Sequence, residues 1–196
     1  MRNQYFALRH GISVANEKGI IVSHPASGVG GWGLSERGAT ECRQRLTPER
    51  LQACGLSPDE CVVYSSDFLR AVETATLLCK LNHLSPAILD VRLRERHFGS
   101  LEKRTIDAYD LVWSRDADDD NHGFEGCEST AKLAARLRSL LGDLESRWNG
   151  KKIVLVSHGD PLQVLQTILL GLRCNQHRSL PDLGNAEMRR IDGVSV

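Results

Sequence analysis

Two histidine–glycine pairs stand out in the chain: His10-Gly11, preceded by Arg9, and His158-Gly159, preceded by Ser157. Each follows a short apolar run, Gln4 to Leu8 (QYFAL) in the first case and Ile153 to Val156 (IVLV) in the second. A third run, Cys61 to Tyr64 (CVVY), leads into Ser65-Ser66-Asp67, with Arg70 close behind. Side chains of these types suit an anion. An arginine presents a planar fork of donors that matches carboxylate or phosphate oxygens. A glycine beside each histidine lets backbone N–H groups approach the same oxygens.

The elements that must position these groups follow from the hydrophobic pattern. Short, nearly unbroken apolar runs rich in valine and isoleucine predict strands buried on both faces of a sheet. Helical patterns separate them. One opens at Ser35, with Glu36 in its first turn, and is interrupted near Pro48; Asp67 caps a second, with Leu69, Val72, Ala75, Thr76 and Cys79 on one face. A third opens at Ser129 or Thr130 and carries Leu133, Leu137, Leu140, Leu141 and Leu144; a fourth starts near Pro161 and runs to Leu170. Strands alternating with helices predict a layered α/β/α domain with a mostly parallel sheet. In such sheets ligands bind beyond the carboxyl ends of the strands, which is where Arg9, His10, Arg70 and His158 are expected to converge. Glu17 to Gly33, rich in glycine, reads as a long loop, as does Arg115 to Cys127 with its aspartates. Neither separates two cores, so residues 1–196 are expected to form one domain.

Composition narrows the function. The chain has 196 residues, 41% of them hydrophobic, enough for a core without metal or disulfide staples. Its 25 basic and 25 acidic residues balance, so no global field attracts a polyanion, and 5% aromatic residues are too few for base-stacking platforms. No nucleic-acid partner is expected. The cysteines Cys42, Cys54, Cys61, Cys79, Cys127 and Cys174 lack the spacing of a zinc or thioredoxin-like site and read as reduced thiols. No apolar run approaches the ~20 residues of a membrane span. A cytoplasmic protein with no membrane partner is the expectation.

The ordered motifs resemble the phosphoglycerate mutase-like branch of the histidine phosphatases. Leu8-Arg9-His10-Gly11, with Ser13 and Asn16, resembles the family's RHGxSxxN signature, and Gly33-Leu34-Ser35-Glu36-Arg37-Gly38 its LTxxG segment. Ser65 to Ala75 resembles SSxxxRAxxTA, Leu93 to Gly99 resembles LxExxxG, and Val156-Ser157-His158-Gly159 resembles the second histidine motif. The resemblance spans nearly the whole chain.

It implies a phosphoglycerate mutase-like fold and a phosphomonoester phosphatase acting on a small phosphorylated metabolite without metal or cofactor. His10 would attack phosphorus and form a phosphohistidine. Arg9 and Arg70 would neutralise the phosphoryl oxygens, with Asn16 and Gly159 as further contacts. A protonated His158 would donate to the same group. Glu95 would be the general acid and base, with Glu102 as its competitor; Ser13 reads as a capping group.

Three points are weighed on the residues themselves. Arg92, Arg94, Arg96 and His97 crowd around Glu95 and either face the pocket, implying a second anionic group on the substrate, or point to solvent. The glycine-rich segment around Trp32 could form a pocket wall. His24, His83, His122 and His177 read as surface residues, and the aspartate run near Asp118 as a solvated loop. Two other functions stay in view. Glu95 to Gly99 resembles the mutase version of its segment, whereas Asp160-Pro161 departs from the mutase pattern. A weakly active signalling or binding module is the third, disfavoured because no catalytic position is missing.

Overall fold

A computed structural model describes residues 1–192. Its centre is a five-stranded sheet: β1 (Gln4–Arg9), β2 (Cys61–Ser65), β3 (Ile88–Leu89), β4 (Lys152–Ser157) and β5 (Met188–Arg190). The order is β3-β2-β4-β1-β5, parallel throughout except that β5 runs antiparallel to β1. The three apolar runs read from the sequence are the three central strands. The edge strands β3 and β5 are too short to leave a pattern.

Alternation along each central strand divides the core between the two faces. Tyr5, Ala7, Ile153 and Leu155 meet the leucines of α7 (Thr130–Arg147) and Leu162 and Leu165 of α8 (Gly159–Leu169). Phe6, Leu8, Val154 and Val156 meet Cys42 of α3 (Glu36–Arg45), Leu51 of α4 (Pro48–Ala53) and Ala71, Ala75 and Leu78 of α5 (Leu69–Leu81). The result is the expected three-layer α/β/α arrangement. A smaller cluster of Ile21, Phe98, Leu101, Val112 and Cys127 lies outside these two. It packs the loop after α1 (Val14–Glu17) against the segment that carries α6 (Tyr109–Asp118).

Ser35 and Ser129 cap α3 and α7 as expected, each accepting from a backbone N–H in the first turn. Asp67 does not cap α5. Phe68 occupies that position, and Asp67 is drawn into a two-pronged ion pair with Arg94 at 2.7 and 2.6 Å. The Glu17 to Gly33 segment is more ordered than a loop. It contains the short helix α2 (Pro25–Gly28), and Ile20 bridges Thr105. Likewise Arg115 to Asp118 completes α6. All six cysteines are free thiols, five of them buried. None of the described helices is long and apolar enough to cross a membrane.

Candidate active site

The parallel ladder brings the ends of β1 and β4 side by side, Arg9 opposite Ser157, so His10 and His158 emerge as neighbours. Their rings lie 5.1 Å apart, edge to face. The next strand over, β2, delivers Ser66 and then the start of α5 with Arg70. The two glycines serve different purposes. A Cβ on Gly11 would fall 2.4 Å from Cys42 Sγ, so this glycine admits α3 against the loop rather than a ligand. A Cβ on Gly159 would meet only the Arg9 guanidinium, at 3.9 Å.

His10 is 3% exposed. Its Nε2 receives a hydrogen bond from Arg70 Nε at 3.1 Å, and a guanidinium N–H can only donate. Nε2 is therefore the lone-pair nitrogen, and Nδ1–H donates to the Gly11 carbonyl at 2.8 Å. Burial, with help from Arg70 and Arg9, holds the imidazole well below its usual pKa. The ring is neutral and its free pair sits on the nitrogen facing Arg70, as a nucleophile requires.

His158 departs from expectation in its charge. It is fully buried, and burial together with the cations of Arg70 and Arg136 keeps its pKa well below the imidazole range. It is neutral. Ser66 Oγ, which already accepts from Phe68 N, has its hydrogen free for His158 Nε2 at 2.9 Å. The ring proton then resides on Nδ1.

That Nδ1 has no hydrogen-bond partner, nor do Arg70 Nη1 and Arg9 Nε. Both arginines are otherwise anchored, Arg70 through Nη2 to the Val22 carbonyl at 3.0 Å and Arg9 through Nη1 to the Leu183 carbonyl at 2.7 Å. Three buried donors left unsatisfied on residues neighbouring His10 could seat an anion, because leaving a buried donor unpaired costs about 1–3 kcal/mol.

Arg9, His10 and Arg70 open into a cavity of about 300 Å³ whose walls include Ser13, Asn16, Ile106, Tyr109 and Trp113. A narrower recess of about 110 Å³ shares Arg9, Glu95, Tyr109 and Trp113 with it and reaches Gly159, Asp160 and Arg178. Asn16 borders the cavity, but its Oδ1 also accepts from Ser13 N and Oγ, so one side of the amide serves the α1 cap. Ser13 is the capping group expected.

Glu95 stands where the two spaces meet. Burial and the negative charge of Asp160 push its carboxyl up to about 7, against the lowering pull of Arg70 and Arg9. Its position is set from α7: Arg136 donates to the carbonyls of Arg92, Arg94 and Glu95, and is itself held by both oxygens of Glu128. Glu102, the competitor, is committed elsewhere. Its Oε2 accepts from Ser23 N, Ser23 Oγ and His24 N, tying down the loop that carries Val22.

The arginines near Glu95 do not reach the pocket. Arg92 pairs with Asp90 and Asp143, and Arg94 with Asp67. Arg96 is wholly buried, with both terminal nitrogens on Asp116 at 2.6 and 2.7 Å and Asp160 at 3.3 Å. His97 lies 5.3 Å from His24, and Trp32 packs under Lys18 rather than lining the cavity. His24 and His83 are exposed as expected, but His177 is fully buried and His122 hydrogen-bonds Asp116 at 2.6 Å. The aspartate near residue 118 that matters is thus Asp116, a buried counterion. Sequence reading missed Asp160, Arg136 and the Arg96–Asp116 pair. Only the unusual Asp160 after the second histidine offered a signal.

Among the described residues no group of three or more His, Cys, Asp or Glu side chains is arranged to hold a metal ion. The model of the histidine phosphatase superfamily (branch 1) matches residues 5–193. A probable phosphoglycerate mutase GpmB of Photorhabdus laumondii is 31% identical over 96% of this chain and 84% of its own length. A metal-independent phosphoserine phosphatase of Arabidopsis thaliana is 30% identical over 94% of this chain and 74% of its own. A mycobacterial glucosyl-3-phosphoglycerate phosphatase solved with VO3 superposes with a TM-score of 0.76 at 28% identity, covering 94% of this chain and 90% of that one. This chain belongs to the histidine phosphatase superfamily, branch 1.

Proposed function

We propose that this protein is a metal-independent phosphomonoester phosphatase that turns over small phosphorylated metabolites through a phosphohistidine on His10. The observation that carries the reading is the set of three unpartnered buried nitrogens, on Arg9, Arg70 and His158, the residues neighbouring His10, whose Nε2 lone pair faces Arg70. A phosphoryl group entering this seat displaces the Arg70 Nε bond from His10 and takes it over through an oxygen. The Nε2 pair attacks phosphorus, the ester P–O bond breaks, and protonated Glu95 gives its proton to the departing oxygen. The phosphohistidine is then attacked by water, whose proton passes to Glu95 as the P–N bond breaks. Phosphate leaves, and both groups return to their starting states. Asn16 and the Gly159 backbone are candidate further contacts to the phosphoryl oxygens. The cationic and N–H groups supply the charge stabilisation that a metal ion supplies elsewhere.

The mutase reading draws on the name of the Photorhabdus relative. Against it, Arg96, part of the mutase-like segment, is consumed by Asp116 and cannot hold a substrate carboxylate. Rapid acid quench during turnover of p-nitrophenyl phosphate tests the proposal: the protein should carry acid-labile, base-stable phosphate, and His10→Ala should abolish both this and the activity. An active alanine variant would overturn it. Formation of the isomer from 3-phosphoglycerate, in place of inorganic phosphate, would establish the mutase.

A further inference from the structure

The space beyond the phosphoryl seat has a distinct chemistry. Tyr109 and Trp113, one turn apart on α6, stack with ring centroids 5.1 Å apart and planes inclined by 11°. With Ile20 and Ile106 they make an apolar wall beside Glu95. The cations bordering the two cavities are Arg9, Arg70 and Arg178. Arg9 and Arg70 are balanced by the two negative charges of a bound phosphoryl group. The Arg178 guanidinium sits over Trp113, 3.8 Å from the ring centroid, and its Nη1 is shared between Gln163 and Asp182, the latter at 3.0 Å.

What remains is negative. Arg96 faces two carboxylates, Asp116 and Asp160, and so neutralises only one of them. The Asp160 side chain borders the recess, held from the cavity side by Trp113 Nε1 at 3.1 and 3.2 Å from its two oxygens. A second anion on the substrate would meet this uncompensated charge and an aromatic wall, and the cation left beside it, Arg178, is already engaged by Gln163 and Asp182. An uncharged alcohol would lay its apolar face on the ring stack while its ester oxygen met Glu95.

We infer that the leaving-group subsite selects phosphate monoesters of uncharged alcohols with a flat or apolar face, and discriminates against esters that carry a carboxylate or a second phosphate. This rests on the phosphatase reading and goes beyond it, since the relatives named above include proteins called after phosphoglycerate and phosphoserine.

Matched pairs test it: glycerol 3-phosphate against 3-phosphoglycerate, and benzyl phosphate against 4-carboxybenzyl phosphate, by kcat/KM for phosphate release. In both pairs the uncharged member is expected to lead by about tenfold or more, and benzyl phosphate to exceed glycerol 3-phosphate. A gain-of-function variant guards against simple loss of fold. Ile106 lines the cavity but is 51% exposed, so a longer side chain there is tolerable. Ile106→Arg is expected to raise the ratio of 3-phosphoglycerate to glycerol 3-phosphate by about tenfold. Equal or better turnover of the carboxylate members by the unmodified protein, while p-nitrophenyl phosphate is hydrolysed, overturns the selectivity and leaves the phosphatase reading intact. An unchanged ratio in Ile106→Arg overturns the placement of the subsite. No hydrolysis of p-nitrophenyl phosphate brings down the phosphatase reading itself.

Discussion

Replacing Asp160 by Asn isolates the charge that keeps Glu95 protonated. The substitution preserves shape and leaves an acceptor for Trp113 Nε1 and Arg96, which now share one carboxylate oxygen, Oδ2, at 3.2 and 3.3 Å. It removes the negative charge that, after burial, does most to raise the Glu95 carboxyl from 4.5 to about 7. The whole rise disfavours the ionised form by roughly 3 kcal/mol, of which Asp160 supplies the smaller part. The sign follows from the role. A general acid works only while protonated, so phosphorylation of His10 by an alkyl phosphate should fall as pH rises through about 7. Without Asp160 that fall should come at lower pH. A displacement of about one pH unit leaves roughly a tenth of Glu95 protonated at pH 7 instead of half, a fivefold slower step. Below pH 5 the two proteins should converge.

The assay is quench-flow formation of phosphoenzyme from glycerol 3-phosphate between pH 5 and 9, in the parent and in Asp160→Asn. The substrate's own ionisation is common to both and cancels in the comparison. His10 does not interfere, because burial and the two arginines place its protonation well below the usual imidazole range. An alkaline limb at the same pH in both proteins would refute the electrostatic argument. A rate lowered equally at every pH would instead assign Asp160 to holding Trp113.

Glu95→Gln should slow His10 phosphorylation by an alkyl phosphate about 10²- to 10⁴-fold, and by p-nitrophenyl phosphate far less, since that leaving group departs as a stable anion. Equal slowing in single-turnover measurements would show that Glu95 positions rather than protonates. Arg70→Ala removes an unpartnered donor from the phosphoryl seat and should lower kcat/KM by roughly 10²-fold or more; near-parent kinetics would place Arg70 outside the reaction. EDTA should leave activity unchanged and vanadate should inhibit, whereas loss on chelation with recovery on adding a divalent ion would point to a metallophosphatase.

The phosphoryl half of the site was legible because its signals are local. A strand buried on both faces must be a continuous apolar run, so a polar residue and a histidine at its end are conspicuous, as at Arg9-His10 and Ser157-His158. The helices announced by Ser35 and Ser129 were readable for the same reason, since a cap acts within one turn. What the sequence concealed are pairings across distance. Asp67 looks like a cap until Arg94, 27 positions on, claims it. Asp116 looks solvated until Arg96, 20 positions back, folds over it. The neutral state of His158 follows from the density of cations and the burial around it, neither of which a motif displays. Edge strands β3 and β5, of two and three residues, are shorter than one period of useful alternation.

That contrast reflects how the two halves of the site are held. Arg9, His10, His158 and the start of α5 hang from adjacent parallel strands, so their relative positions are set by backbone ladders insensitive to side-chain identity. Glu95, Tyr109, Trp113 and Asp160 are positioned instead through side chains: Arg136 on the carbonyls of residues 92, 94 and 95, Arg96 between Asp116 and Asp160, and Glu102 on Ser23. Exchanging one of these side chains moves the wall that meets the leaving group while the phosphoryl seat stays where the ladder puts it. A family built this way can keep one phosphoryl seat and vary what occupies the space beyond it, and the names among the relatives span a mutase and phosphatases of different esters. Asp160 joins the two halves, because it lies in the first turn of the helix that follows His158 and also acts on Glu95 and Trp113. On the proposed mechanism and subsite, one carboxylate would therefore set both the protonation of Glu95 and the charge that sorts the substrates.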